Sequence, residues 1–107
     1  MSSMEKREQD FERKFALDEE LKFKAMNRRN KLFGLWAAEK MGRSGDAAAA
    51  YAKDVVAADF AEPGDGDVLH KVLADLTAKG VAVTETELRT KMEALAAEAV
   101  AQIKAGI

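Results

Sequence analysis

The chain has 107 residues, 48% of them hydrophobic and 34% charged, with a formal net charge of −2 and no cysteine. This length predicts one domain with a modest core, and the lack of cysteine excludes a disulfide framework and a thiolate zinc site. The charge balance argues against a dedicated nucleic-acid binder, which needs a strong basic excess to neutralise phosphates. No run approaches the roughly 18 apolar residues of a membrane span, and the charged residues 1–15 are unlike a signal peptide.

The first predicted element is a long helix over residues 5–41. This stretch has no proline, and Gly34 is its one interior glycine. Such a helix would be about 55 Å long, whereas a compact chain of this size is about 34 Å across. The rest of the protein therefore cannot cover the whole helix.

The apolar pattern indicates which end of the helix is covered. Apolar residues are dense from Leu32 onward, as a core-facing helix requires. Upstream, charged residues interrupt the apolar face, and acid-base pairs at i, i+4 spacing add only about 1 kcal/mol in total. We therefore predict a bundle domain over residues 21–107 and a mobile segment, residues 1–20, that orders on a partner. The upstream apolar residues are Phe11, Phe15, Leu17, Leu21 and Met26.

Two aromatic residues of this segment, Phe11 and Phe15, lie one helical turn apart among charged residues. They either extend the seam of the bundle or enter the cleft of a partner as anchors, with the surrounding charges fixing the register. The residues alone leave both interpretations open.

A basic cluster follows over residues 22–31. On a helix its side chains point in several directions, and Asp18, Glu19 and Glu20 precede it. A solvated face, or contact with the acidic surface of a partner, is therefore favoured over RNA binding. A helical adaptor that uses this cluster remains an alternative. The cluster contains Lys22, Lys24, Arg28, Arg29 and Lys31, with Phe23 among them.

Three further helices are predicted, over residues 46–60, 67–79 and 85–104. Gly42 and Gly45 end the first helix, Pro63 to Gly66 break the chain after the second, and Gly80 caps the third. Thr84 and Glu87 form a capping box for the fourth helix. Short connections place neighbouring helices antiparallel, which predicts an all-α, up-and-down four-helix bundle.

Gly34 is unfavourable in a helix interior by about 1 kcal/mol relative to alanine. Close approach of another helix beside Trp36 explains this glycine better than a hinge does.

Little in the sequence supports catalysis or metal binding. The single histidine, His70, lies at the margin of an apolar face and is interpreted as a surface or boundary residue. Acidic residues surround the predicted loop after the second helix, but their spacing is not that of an EF-hand. There is no glycine-rich phosphate loop. We therefore expect no enzyme activity, no metal and no cofactor. The acidic residues are Asp59, Glu62, Asp65 and Asp67.

Several segments resemble the zeta subunit of alphaproteobacterial F-type ATP synthases, a family of small ATPase inhibitors. The resemblance spans most of the chain up to about Val72 and is most specific over residues 35–42. It rests on residues 11–15, the run Phe33-Gly34-Leu35-Trp36-Ala37-Ala38-Glu39-Lys40-Met41-Gly42, Tyr51-Ala52-Lys53, Val55-Val56, Asp59-Phe60, Pro63-Gly64 and Asp67-Val68.

The resemblance implies a four-helix bundle with a mobile N-terminal inhibitory segment. In that family the segment enters a catalytic α/β interface of the ATPase head as a helix and meets the central stalk. It blocks rotation in the hydrolytic direction and spares synthesis. The protein would then be cytoplasmic and bind at the inner face of the plasma membrane without inserting into it. An adenine-nucleotide-binding regulatory bundle is a further alternative, although no residue here marks such a site.

Carried onto this chain, the inhibitory stretch falls on residues 1–16. The resemblance places the partner-binding residues at Asp10, Phe11, Glu12, Arg13, Lys14 and Phe15.

Overall fold

The computed structural model describes the backbone of residues 3–59 and 66–106, and the side chains of residues 20–59 and 66–106. The described backbone forms four helices and no strand, which confirms the predicted all-α four-helix fold. The fourth helix has the predicted bounds, and the other three start and end one or two residues earlier than predicted. The helices are α1 (Ser3–Lys40), α2 (Gly45–Ala58), α3 (Gly66–Ala78) and α4 (Glu85–Lys104).

Glycine ends both α1 and α3 by the same hydrogen-bond pattern. Gly42 and Gly80 each have φ of +79°, a left-handed conformation that glycine adopts without a Cβ penalty. After α1, the Arg43 amide donates to the Ala38 carbonyl at 2.8 Å; after α3, the Val81 amide donates to the Leu76 carbonyl at 2.9 Å. These are Schellman caps, which satisfy carbonyls that the helix itself leaves free. The predicted cap at Gly80 is confirmed.

The start of α4 is fixed by a side-chain cap. The Thr84 hydroxyl accepts a hydrogen bond from the Glu87 amide at 3.1 Å, which is the first half of the predicted capping box. Val83, just before the cap, packs against the core, and Leu88 is fully buried. The helix therefore begins where a polar cap and an apolar contact act together.

The core draws large side chains from all four helices. Phe33 of α1 is fully buried, and its ring stacks on Trp36 at 5.8 Å between centroids. Many of the other buried positions are alanine, each of which removes little apolar surface from water, so the core is thin. The fully buried large apolar residues are Phe33, Leu69, Leu76, Leu88, Val55, Val68 and Val72.

Helices α1 and α2 approach each other closely at Gly34. A Cβ built on Gly34 would lie 2.7 Å from the Ala52 Cα and 3.2 Å from the Val55 Cβ. Such a contact is too short to tolerate, and one of the atoms belongs to the backbone. The prediction that Gly34 marks a close helix approach is therefore confirmed.

The molecule is elongated because of α1. Its principal extents are 65 × 25 × 22 Å. With 38 residues α1 is about 57 Å long, whereas α4 with 20 residues is about 30 Å long. The first helix therefore extends well past the helices that pack on it. None of the described helices has the length and apolar character needed to cross a membrane.

Candidate functional site

The bundle holds α1 from Ala25 onward. Among the described side chains of α1, Ala25 is the first that is buried, whereas Lys22, Phe23 and Lys24 are exposed and Leu21 is half-buried. Upstream of Ala25 the backbone continues as helix to Ser3, over about 33 Å. We call residues 3–24 the arm. Its geometry suits a helix that is presented to another molecule.

The predicted partner-binding residues lie within the arm. Their backbone belongs to α1, and their side chains lie outside the described residues. Neither of the two interpretations of Phe11 and Phe15 is therefore tested, and the same holds for the mobility of residues 1–20. These residues are Asp10, Phe11, Glu12, Arg13, Lys14 and Phe15.

Apolar side chains are exposed where the arm meets the bundle. Phe23 is 65% exposed and Met26 is 38% exposed, and they are the exposed large apolar residues among the described side chains. Beside them, α1 and α4 border a shallow cleft of about 240 Å³ with a mainly apolar lining, including Leu21, Ala96 and Val100. Isolated apolar residues are ordinary on a surface, but Met26 lines this apolar cleft, and an exposed apolar surface of this kind is typical of a contact with a protein.

Met26, which the sequence places on the interrupted upstream part of the apolar face of α1, is 38% exposed. The buried positions nearest to it are Ala25 and Arg29, and Met26 lies one residue off that face. At about 100° per residue, this offset turns its side chain towards solvent.

A buried polar pair lies on α1 at the root of the arm. Asn30 is fully buried and Arg29 is 9% exposed. The Arg29 guanidinium donates two hydrogen bonds to the Asn30 Oδ1, at 3.1 Å from Nε and 2.8 Å from the terminal nitrogen. Both residues belong to α1, so these bonds stay within the helix, and the Asn30 Nδ2 is buried without a hydrogen-bond partner.

Sequence reasoning missed the burial of this pair, although one signal was present. Asn30 precedes Phe33, Gly34 and Ala37 by three, four and seven residues, so it shares their buried face. The basic cluster therefore divides, as expected for residues that point in several directions. Arg29 turns inward, while Lys22, Lys24 and Lys31 are exposed.

A second polar cluster lies where α2 and α3 meet, around the only tyrosine. The Tyr51 hydroxyl donates to the Asp75 carboxylate at 2.8 Å, and Lys71 lies 3.1 Å from the same oxygen. Arg43 and Lys71 also lie over the Tyr51 ring, 5.3 and 5.4 Å from its centroid. Burial, and then the hydrogen bond to Asp75, raise the pKa of Tyr51 well above its ordinary value.

This cluster has the features of a structural contact. The raised pKa of Tyr51 keeps its hydroxyl protonated and disfavours its use as a base. His70 is exposed, as predicted for a surface or boundary residue. The described residues contain no group of three His, Cys, Asp or Glu side chains that could hold a metal ion, although Glu62 and Asp65 lie outside them.

Comparisons with known proteins support the interpretation of the chain as an inhibitor subunit. The family model described as ATPase inhibitor subunit zeta matches residues 1–102. A protein whose structure was solved by solution NMR is 53% identical, with 81% of this chain and 99% of that chain covered and a TM-score of 0.72. No curated protein matches the chain. The match over residues 1–102 takes in both the arm and the bundle, and so the chain belongs to the ATPase inhibitor subunit zeta family.

Proposed function

We propose that this protein inhibits ATP hydrolysis by the F-type ATP synthase by placing the arm, as a helix, in a catalytic interface between an α and a β subunit. The central stalk forms part of the same contact, and rotation in the hydrolytic direction is blocked. Membership of an inhibitor family supports the regulatory role. The protein acts as a binding subunit, at the inner face of the plasma membrane when the synthase holds it.

The shape of α1 is the observation that carries this proposal. A catalytic interface between two subunits is narrow, and one helix of about 10 Å diameter is among the few elements that fit it. The arm extends about 33 Å from Ala25, while the bundle keeps the rest of α1 in place. The arm therefore has the length to reach into a cleft while the bundle stays outside it.

A rotary enzyme explains why one inserted helix is sufficient. Its catalytic clefts open and close in turn as the stalk rotates, so holding one cleft stops all of them. Aromatic anchors at Phe11 and Phe15 would contribute most of the binding energy, and the charges between them would fix the register. A segment that gains order only on binding loses several kcal/mol to that ordering, which moderates affinity and permits release.

Removal of the arm tip tests the proposal. A chain without residues 1–14 should retain the melting temperature of the bundle and lose inhibition of ATP hydrolysis by the purified ATPase head. The matched control is the same head with the full chain, and circular dichroism reports folding in both. Equal inhibition by the two chains would refute the proposal.

A further inference from the structure

We propose that α1, α2 and the end of α4 form a docking groove for an acidic amphipathic helix of the ATPase head. This contact is separate from residues 10–15. The identity of the partner rests on the proposed function. The chemistry of the contact is argued from the structure. It would hold the bundle against the outside of the head while the arm acts elsewhere.

Two clefts combine into this groove. The first, of about 570 Å³, is lined by Lys24, Asn27, Arg28 and Lys31 of α1, Val56 of α2 and Ile103 of α4. The second, of about 330 Å³, is lined by Lys31, Ala49, Ala52, Lys53 and Val56. Lys31 and Val56 belong to both linings, so the clefts adjoin each other. We call the combined surface the basic groove.

The floor of the basic groove suits an α-helix. Ala49 and Ala52 are short, and Val56 and Ile103 are half-buried with apolar surface left over. Packed helices have axes about 8–10 Å apart, and small residues on one helix permit the nearer distances. Along α1 the groove runs from position 24 to position 31, about 10 Å, which matches two turns of a partner helix.

The rim of the basic groove carries charge of one sign. Every ionisable residue described in its lining is basic: Lys24, Arg28, Lys31 and Lys53. The chain as a whole has a net charge of −2, and the cleft beside Met26 likewise has only Lys22 and Arg29 as ionisable lining residues. By contrast, the cleft beside Tyr51 is lined by Asp54 and Asp75 as well as by basic residues, and the cleft beside Met92 is lined by Glu93 as well as by arginines.

Two cations of the rim have contacts within the chain. Arg28 donates to the Gln102 side chain at 3.4 Å, which ties the end of α4 to α1. Lys24 pairs with Glu20 at 3.6 Å, with both side chains more than 60% exposed, so that pair is weak. An apolar floor between basic edges complements a helix with an apolar stripe flanked by Asp and Glu, and charge complementarity of this kind determines which partner binds.

Two pairs of matched variants of the full chain test the basic groove against the purified ATPase head. Lys53→Glu reverses a rim charge, and Lys79→Glu makes the same change at an exposed residue outside the groove. Ala49→Gln places a long side chain on the floor of the groove. Its control, Ala50→Gln, makes the same change at the next residue of α2, which is also exposed but does not line the groove. The affinity of each variant for the head is measured by fluorescence anisotropy. Inhibition of ATP hydrolysis is measured separately, at a saturating concentration of the variant.

The groove variants should each weaken binding about tenfold, as expected for a like-charge contact or a blocked floor, while their controls stay within about twofold. Inhibition at saturation should remain complete. Added salt should reduce the difference in affinity for the head between Lys53→Glu and the wild-type chain, because salt screens the charge contact. Equal affinities for all four variants would overturn the groove proposal. Groove-dependent binding without inhibition by the wild-type chain would support the groove and overturn the proposed function instead.

The same variants distinguish other occupants. Sedimentation of the free chain should show no dimer that depends on Lys53 or Ala49, since such a dimer would mean that a second copy fills the groove. Addition of ATP or ADP to isotope-labelled chain should leave the amide signals of residues 49–56 in place. A localised shift there would assign the groove to nucleotide and overturn the acidic-helix proposal.

Discussion

Two phenylalanines ten residues apart show that α1 has two different environments. Phe33 is fully buried and stacked on Trp36, whereas Phe23 is 65% exposed. Both lie in the interior of the same helix, so local helix propensity does not distinguish them. What differs is the tertiary contact: α2 packs closely on α1 at Gly34, next to Phe33, and the bundle does not enclose Phe23. In a helix longer than its bundle, tertiary contact decides which residues are core.

The largest predicted effect contrasts these two residues directly. Phe33→Ala should lower the free energy of unfolding by about 3–5 kcal/mol, because it removes a buried ring and leaves a cavity. Phe23→Ala should lower it by less than about 0.5 kcal/mol, as is usual for an exposed site. Urea denaturation followed by circular dichroism measures both. A cost above 2 kcal/mol for Phe23→Ala would place Phe23 within the core.

The next largest effect concerns the α1–α2 contact within the bundle. Gly34→Ala should destabilise the fold by about 1–3 kcal/mol, since the new Cβ would meet the Ala52 backbone and the gain in helix propensity is only about 1 kcal/mol. Gly66→Ala is the matched control, because Gly66 begins α3 with open space around it. If thermal melts showed Gly34→Ala to be as stable as the wild-type chain, the close approach would be wrong.

A smaller effect comes from the Tyr51–Asp75 hydrogen bond. Tyr51→Phe should cost about 1–2 kcal/mol at neutral pH, because the Asp75 oxygen loses its phenolic donor. The pKa of Tyr51 is raised on folding, so its contribution is fully present below pH 10, the ordinary tyrosine value, and declines as pH rises above 10. Wild-type stability should therefore fall more steeply than that of Tyr51→Phe between pH 10 and 12. Parallel pH profiles of the two chains would contradict this account.

The smallest effect on stability, with a large effect on function, is predicted for the arm. The double variant Phe11→Ala, Phe15→Ala should leave the melting temperature within about 2 °C, since surface substitutions change stability little, and should weaken binding to the ATPase head at least tenfold. Ala50→Gln serves as the control, because Ala50 is exposed on α2, outside both the arm and the basic groove. A large fall in melting temperature for the double variant would assign both rings to the seam of the bundle.

Much of the bundle follows from local sequence rules, for identifiable reasons. The bounds of α4 were predictable because Thr84 caps it and an apolar residue recurs every three or four positions along it. Gly34 indicated a close contact because nothing else favours glycine there. The acid Asp46 led to a predicted start of α2 at residue 46, but the helix begins one residue earlier, at Gly45. Ser44, the N-cap residue, makes no side-chain cap bond. Such one-residue differences reflect competing signals at a helix end.

The parts that were not predictable depend on tertiary packing. In the sequence, Arg29 is one cation of a basic cluster and nothing marks it as buried. In the structure, the packing of α1 buries it beside Asn30. The basic groove combines residues of three helices, and no spacing within one segment predicts that Lys53 and Ile103 border the same surface as Lys31. The partner-binding residues of the arm came from a family resemblance, because two aromatic residues at helical spacing fit a core seam equally well.

Amide hydrogen exchange of the full chain, free and bound to the ATPase head, tests the central claim most directly. In the free protein, amides of residues 33–38 should be protected, because the bundle buries Phe33, Ala37 and Ala38, while those of residues 5–20 should exchange rapidly if they gain order only on the head. On binding, residues 5–20 should gain protection of at least about a hundredfold as they order within the head. Free-state protection of residues 5–20 equal to that of residues 33–38, or no gain on binding, would contradict the account.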